Sequence, residues 1–205
     1  MQTRDGRAVD MVDPVASEVH FVGMCRALAD INRYAGAASP SVSVAFHTLI
    51  GLDMVDESMA AYWLLHDGHE ERLGDEPTPA QLALAVVAGQ MFSGGFHIVR
   101  EAQTALRRRH DNAIWGAAGL PAPTRIQQTI IKMIDRRALA TECRDFMAAP
   151  PKDWGEVLEG IEPSPTVYAW DHFGATPADV AHRLYGAMRS HLPVFLHASE
   201  QRMAA

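Results

Sequence analysis

A chain of 205 residues that is 48% apolar and 21% charged has the length and make-up to close one sizeable hydrophobic core in water. Its 18 basic and 25 acidic residues leave a net charge of −7, which excludes a long nucleic-acid backbone as the natural partner but leaves room for a small anion held by a few local cations. No apolar run approaches the ~18 residues needed to cross a membrane, so neither a membrane span nor a secretory leader is expected, and Cys25 and Cys143 are expected as reduced thiols of a cytoplasmic protein.

In chain order the pattern is helical almost throughout. Residues 1–13, "MQTRDGRAVDMVD", are charged and expected to fray, with a single helical domain over 14–205. Apolar spacing predicts a first helix over 15–31, broken by "NRYAGAASP". Ser39 and Pro40 predict an N-cap and first helical position for "SVSVAFHTLIGLDMV". A third helix is predicted for "ESMAAYWLLHDGHEERL", ending near Gly74, after which "GDEPTP" turns and "PAQLALAVVAGQMF" resumes the helical period. The segment "FHIVREAQTALRRRHDNAIWGAAG" reads as one long helix closed by Gly119, with the cations of "LRRRH" taken as a solvated face. Ile126, Ile130, Ile134 and Ala138 form a stripe along "TRIQQTIIKMIDRRALATECRDFMAA".

"PPKDWGEVLEGIEPSP" is a loop with one helical turn. Thr176, Pro177 and Asp179 supply the N-cap, first-position proline and acidic third residue of a last helix. The stretch carrying His182, His191 and His197 reads as a C-terminal helical extension that covers the core or meets a second subunit. There is no alternating strand pattern and no repeat. The fold class is all-α, a helical bundle.

Three polar features interrupt apolar helix faces: His47 among Val44, Phe46 and Leu49; His66 and Asp67 at the end of "AAYWLL"; and Asp135 beside Ile131, Ile134 and Ala138. Each taken alone is explained by a hydrogen-bonded core histidine or a salt-bridged aspartate. Together, two histidines and two aspartates on three helices form a donor set suited to a divalent transition ion such as Mn, Fe, Co, Ni or Zn. Glu70 lies four residues after His66, on the same helix face and within reach of a metal-bound water.

The ordered set "SVAFH" (43–47), "LLHDGHEERLGD" (64–75) and "IKMIDRRALATECRDFM" (131–147) resembles the HD-domain phosphohydrolase superfamily, over about residues 31–147. The stretch "RYAGAASPSVSVAFH" is similar to the branch that includes 5′-deoxynucleotidases and dATP triphosphohydrolases. The resemblance implies an HD-type bundle in which His47, His66, Asp67 and Asp135 bind one divalent ion, with Mg possible alongside the substrate. It implies Glu70 as general acid–base, Asp75 as a supporting carboxylate, Arg33 as a phosphate grip and Tyr34 as a wall near the sugar. The implied reaction is attack of metal-activated water on the phosphorus of a small nucleotide or phosphate ester, without long nucleic acid or membrane, in a homo-oligomer. Two positions depart from the family pattern: Ala37 stands where relatives often carry His, and Gln81 where they often carry Lys. The competing expectations are hydrolysis of another phosphate ester such as an alarmone, and a non-catalytic nucleotide-sensing or scaffolding module.

Overall fold

The computed structural model describes residues 1–150 and 154–196. Its regular structure is helical: α1 (Phe21–Asp30), α2 (Val44–Leu52), α3 (Glu57–Leu64), α4 (Glu70–Leu73), α5 (Thr78–Met91), α6 (Gly95–Ala118), α7 (Arg125–Phe146) and α8 (Pro177–His191), with short 3-10 turns at Ala16–Glu18, Arg33–Gly36 and Gly155–Val157. Among the described residues there is no strand, only isolated bridges between Gln2 and Ala8 and between Asn32 and Ser43. No helix among them is long and apolar enough to cross a membrane. Residues 151–153 of the expected loop and 197–205 of the expected C-terminal extension, including His197, lie outside the described residues.

The core is built around α2, whose residues Val44 to Gly51 are all buried. A helix apolar on every side needs neighbours on every side, and α1, α3, α7 and α8 supply them. Met24 and Leu28 of α1, Leu64 at the end of α3 and Leu65 just after it, and Leu184 and Met188 of α8 meet Ile50 and Leu49 there. Burial of each such side chain contributes about 1.5–3 kcal/mol. Gly51 marks the closest approach: a Cβ there would sit 1.9 Å from the ring of Trp63, so α3 crosses α2 at a distance only glycine permits.

Local signals set several boundaries as expected. Thr124 caps α7 by accepting from Gln127 N while Gln127 accepts from Thr124 N, and Thr176 and Asp179 form the same box at α8. Gly119, at φ 77°, closes α6 in the left-handed conformation.

Four expectations are corrected. The helix predicted over 15–31 is divided, because Glu18 bonds back to the amides of Asp10 and Val15 and His20 is extended before α1 begins. Ser39 does not cap α2. Residues 42–43 first pair with 31–33, Arg33 N bonding Val42 O and Val44 N bonding Ile31 O, so the helix starts one turn later at the Ser43 cap. The helix predicted through "HDGHEERL" stops at Leu64, and residues 65–69 form tight turns before α4. The N-terminal residues 1–13 are held rather than frayed: Val9 is buried and bonds Met1, Arg4 pairs with Asp30, and Arg109 bonds Val12 and Asp13.

α5 packs chiefly along α6. The turn between them needs its glycines, since Gly94 has φ 78° and a Cβ on Gly95 would sit 2.1 Å from Ala88 O. The outer side of α5 exposes Leu84, Val87 and Met91. At the start of α7 the expected stripe is likewise uncovered: Ile126 is exposed, Ile130 and Ile134 are half-buried, and only Ala138 enters the core.

Candidate metal centre

His47 projects from the middle of α2 and is wholly buried. Its Nδ1 lies 2.5 Å from Glu142 Oε1, and a carboxylate oxygen accepts, so Nδ1–H donates and Nε2 is turned the other way. His66 is oriented by the same logic: Nδ1 lies 2.7 Å from Trp63 O, a carbonyl that only accepts, which leaves Nε2 as its free nitrogen. The indole of Trp63 stacks on the His66 ring at 3.9 Å and fixes its plane.

The two Nε2 atoms face each other at 3.3 Å. Asp67 Oδ2 lies 3.0 Å from His66 Nε2 and 3.7 Å from His47 Nε2, and Asp135 Oδ1 approaches His47 Nε2 at 3.3 Å. Ligand atoms of His47, His66 and Asp67 fall within 4.8 Å of one another, and Asp135 joins through His47 from the half-exposed mouth. Nitrogen and oxygen ligands at ~2.0–2.2 Å from one ion stand about 3 Å apart, so these separations fit a shared cation. Acceptors that face each other in a buried site repel unless a positive charge lies among them.

The electrostatics carry the same demand. Burial and the Arg33 guanidinium oppose a charge on His47, but Glu142 and Asp135 outweigh them and push it up to about 10. Burial opposes ionisation of Asp67, yet His66, His47 and Arg33 hold it far below the usual carboxylate range. Asp135 and Glu142 are held down in spite of burial, the first by its hydrogen bond to His47, the second by Arg33 and His47.

Glu142 was not singled out by sequence pattern, and it organises the inner side of the site. It is wholly buried and accepts from His47 Nδ1, from Arg33 Nε at 3.2 Å and from the Tyr34 hydroxyl. The available signal was its spacing: Glu142 follows Asp135 by seven residues, two helical turns, and so shares its face of α7. A carboxylate behind a ligating histidine fixes tautomer and ring orientation.

Arg33 and Tyr34, expected as substrate contacts, therefore have work inside the site. Arg33 lies between Glu142 and Asp67, 3.6 Å from Asp67 Oδ2, with its guanidinium 5.3 Å from the centre of the Tyr34 ring. Tyr34 and Ala35 hold φ of 60° and 52°, a conformation costing non-glycine residues on the order of 1–2 kcal/mol each. This bend turns both side chains of the Arg33–Tyr34 pair toward Glu142 of α7.

Because α3 ends at Leu64, His66 and Glu70 do not share the face of one continuous helix as their spacing suggested. Glu70 opens α4, with Oε2 buried and without a hydrogen-bond partner among the described residues. Burial, then Asp67 and Asp75, push its carboxyl up to about 10. Asp75 is also raised, chiefly by burial. His69 turns to Asp111 of α6 at 2.9 Å.

His66 and Asp135 also line a cleft of about 550 Å³ between α6 and α7, a volume in the range of small-molecule sites. Its walls carry Tyr62, Trp115, Arg107, Arg108 and Lys132. The cations of "LRRRH", expected as a solvated face, are thus divided. Arg107 and Arg108 line the cleft, while Arg109 is turned outward to Asp13. Gln81 lies elsewhere, bonded to Glu76 O and to Arg100.

No family model matches the chain, and no curated protein matches it.

Proposed function

We propose that this chain is a divalent-metal-dependent phosphohydrolase of the HD-domain type that acts on small nucleotides. The observation that carries the proposal is the convergence of His47 Nε2, His66 Nε2 and Asp67 Oδ2, with Asp135 Oδ1 against His47, where Glu142 and the Trp63 carbonyl orient the two imidazoles. Imidazole and carboxylate donors suit Mn, Fe, Co, Ni or Zn, and Mg can accompany the substrate's phosphates. When bound, such an ion supplies charge to polarise a phosphoryl oxygen and to acidify water at neutral pH.

The protein's own groups do the rest. Glu142 keeps His47 aimed, Arg33 holds Asp67 and Glu142 in register, and the buried Trp63 keeps His66 in plane. Glu70, with an unpartnered oxygen beside Asp67, serves as general acid–base. In the reaction the oxygen of water bonds to phosphorus, the ester P–O bond breaks, and the leaving oxygen takes a proton. Free Cys25 and Cys143 fit a reducing compartment such as the cytoplasm.

The proposal includes self-association of two copies through α5. Leu82, Leu84, Val86, Val87, Met91, Phe92 and Ile98 are exposed on this hairpin. Leu84, Val87 and Met91 share one side of α5, and an exposed apolar side of this kind suits a partner surface.

The deciding experiment is product analysis by mass spectrometry, with Mn- or Co-loaded protein, a panel of deoxy- and ribonucleoside mono- and triphosphates, and an Asp67→Ala control. Phosphate or polyphosphate release that disappears in the control is expected. Turnover of nothing, or turnover that survives Asp67→Ala, would overturn the proposal in favour of a non-catalytic nucleotide-binding module.

A further inference from the structure

We infer that the cleft recognises a polyphosphate ester, in which the phosphate at the His/Asp centre is followed by others held by Arg107, Arg108 and Lys132. The inference deepens the phosphohydrolase proposal and rests on it for the position of the first phosphate.

Three observations carry it. The first is the state of the cations. Arg107, Arg108 and Lys132 line the cleft, and none of them makes an ion pair or a side-chain hydrogen bond among the described residues. Four other arginines are engaged, Arg33 with Glu142 and Asp67, Arg136 with the carbonyls of Glu156 and Val157, Arg144 with Asp145 and Arg109 with Asp13, so what distinguishes these three cations is that they are unpaired and share one cleft. In a chain of net charge −7, three unpaired cations lining one small cleft concentrate positive charge locally.

The second is position. Lys132 precedes Asp135 by three residues on α7 and so lies on the same face, one turn from the metal set. Arg107 and Arg108 precede Asp111 by four and three residues on α6, on the facing wall. The carboxylate of Asp111 is already matched by His69. The cations therefore flank the cleft from both walls, within a turn of Asp135 on α7 and of Asp111 on α6.

The third is charge balance. Arg33, the cation deepest in the site, is held by Glu142 and Asp67 and has no freedom to follow a phosphate chain. A single phosphate at the centre leaves the three outer cations without a counter-charge. A di- or triphosphate lying between the two walls supplies it. Trp115 and Tyr62 add flat apolar surface to the same cleft, against which a base can lie.

The test is isothermal titration of inorganic tripolyphosphate and of orthophosphate into the metal-free, full-length chain, so that binding does not require the ion. Tripolyphosphate is expected to bind at least tenfold more tightly. The Arg107→Gln/Lys132→Gln variant is expected to lose that preference, with an unchanged thermal melt because both side chains reach solvent. Arg109→Gln removes the same charge one residue away, outside the cleft, and is expected to leave the preference intact.

Equal affinity for the two anions, a preference that survives Arg107→Gln/Lys132→Gln with Arg108→Gln added, or equal loss in Arg109→Gln would overturn the inference. A separate titration with Mn²⁺ and the Asp67→Ala variant keeps the two proposals apart. Loss of the metal result leaves the anion result to stand or fall on the cleft cations alone.

Discussion

Glu142 accepts from three donors in a place without solvent, which makes it the most consequential single carboxylate of the site. Glu142→Ala strands the Arg33 guanidinium beside a cavity, and breaking a buried pair in this way costs about 3–5 kcal/mol. Glu142→Gln keeps an acceptor for His47 and loses the charge behind it, so the expected effect moves from folding to binding. Mn²⁺ affinity measured by calorimetry should fall about 10–100-fold, the usual range for an outer partner of a ligating histidine. A melt that drops as far as in Glu142→Ala would contradict this division.

Asp145, away from the centre, gives a pH prediction. Burial opposes its ionisation, but Arg144 and the Tyr168 amide hold it below the ordinary value of 3.8. A depressed folded value means stability that is complete above the unfolded value and is lost as the pH falls through the folded one. Asp145→Asn should therefore cost about 1 kcal/mol near neutrality. Its deficit in melting temperature relative to the parent should shrink as the pH is lowered from 6 to 3. A constant deficit would assign the effect to shape instead of charge.

At the scale of elements, what the sequence made legible and what it hid have one physical explanation. α6 and α8 begin and end close to where their apolar period, caps and glycines said, because those signals act on the backbone locally. His47, His66, Asp67 and Asp135 stood out because polar groups on apolar faces demand partners, and the structure brings them together. The end of α3 was hidden. Leu64 and Leu65 are both buried, so the apolar period runs past the helix, while the backbone has already tightened to bonds such as His66 N to Trp63 O. Periodicity reports burial, not hydrogen-bond register. Glu142 was hidden for a related reason, since a glutamate on a charged helix looks solvated until the packing of α2 against α7 is known.

The contact of α2 with α3 yields the prediction at this scale. Gly51→Ala drives a methyl group into Trp63, and overpacking of this kind costs about 1–3 kcal/mol. The melting temperature should fall by roughly 2–4 °C per kcal/mol for a chain of this length. Since Trp63 also stacks on His66 and accepts from it, Mn²⁺ affinity should fall too. Loss of stability with unaltered Mn²⁺ binding would uncouple the core from the centre.

For the molecule as a whole, the apolar side chains of α5 and the cationic cleft are features a buried core does not require. Leu84→Glu with Val87→Glu puts two charges on the exposed side of α5 without touching the core. By sedimentation the parent is expected as a dimer and the variant as a monomer, with a stability change within about 0.5 kcal/mol, as for surface sites generally. A parent that sediments as a monomer would assign that face to some other occupant.

Trp63 and Trp115 sit at two depths of the same site, the first stacked on His66 and sealed from solvent, the second on the wall of the cleft. The chain thus carries its own optical gauge, with one indole at the floor and one at the entrance. A change in the electrical state of the His66 ring perturbs the emission of Trp63, while a base lying in the cleft perturbs Trp115. Zn²⁺, which does not itself quench fluorescence, should shift the emission of the parent but not of Trp63→Phe, and a nucleotide should act on the parent but not on Trp115→Phe. The order in which the two signals move would show whether ion or substrate arrives first.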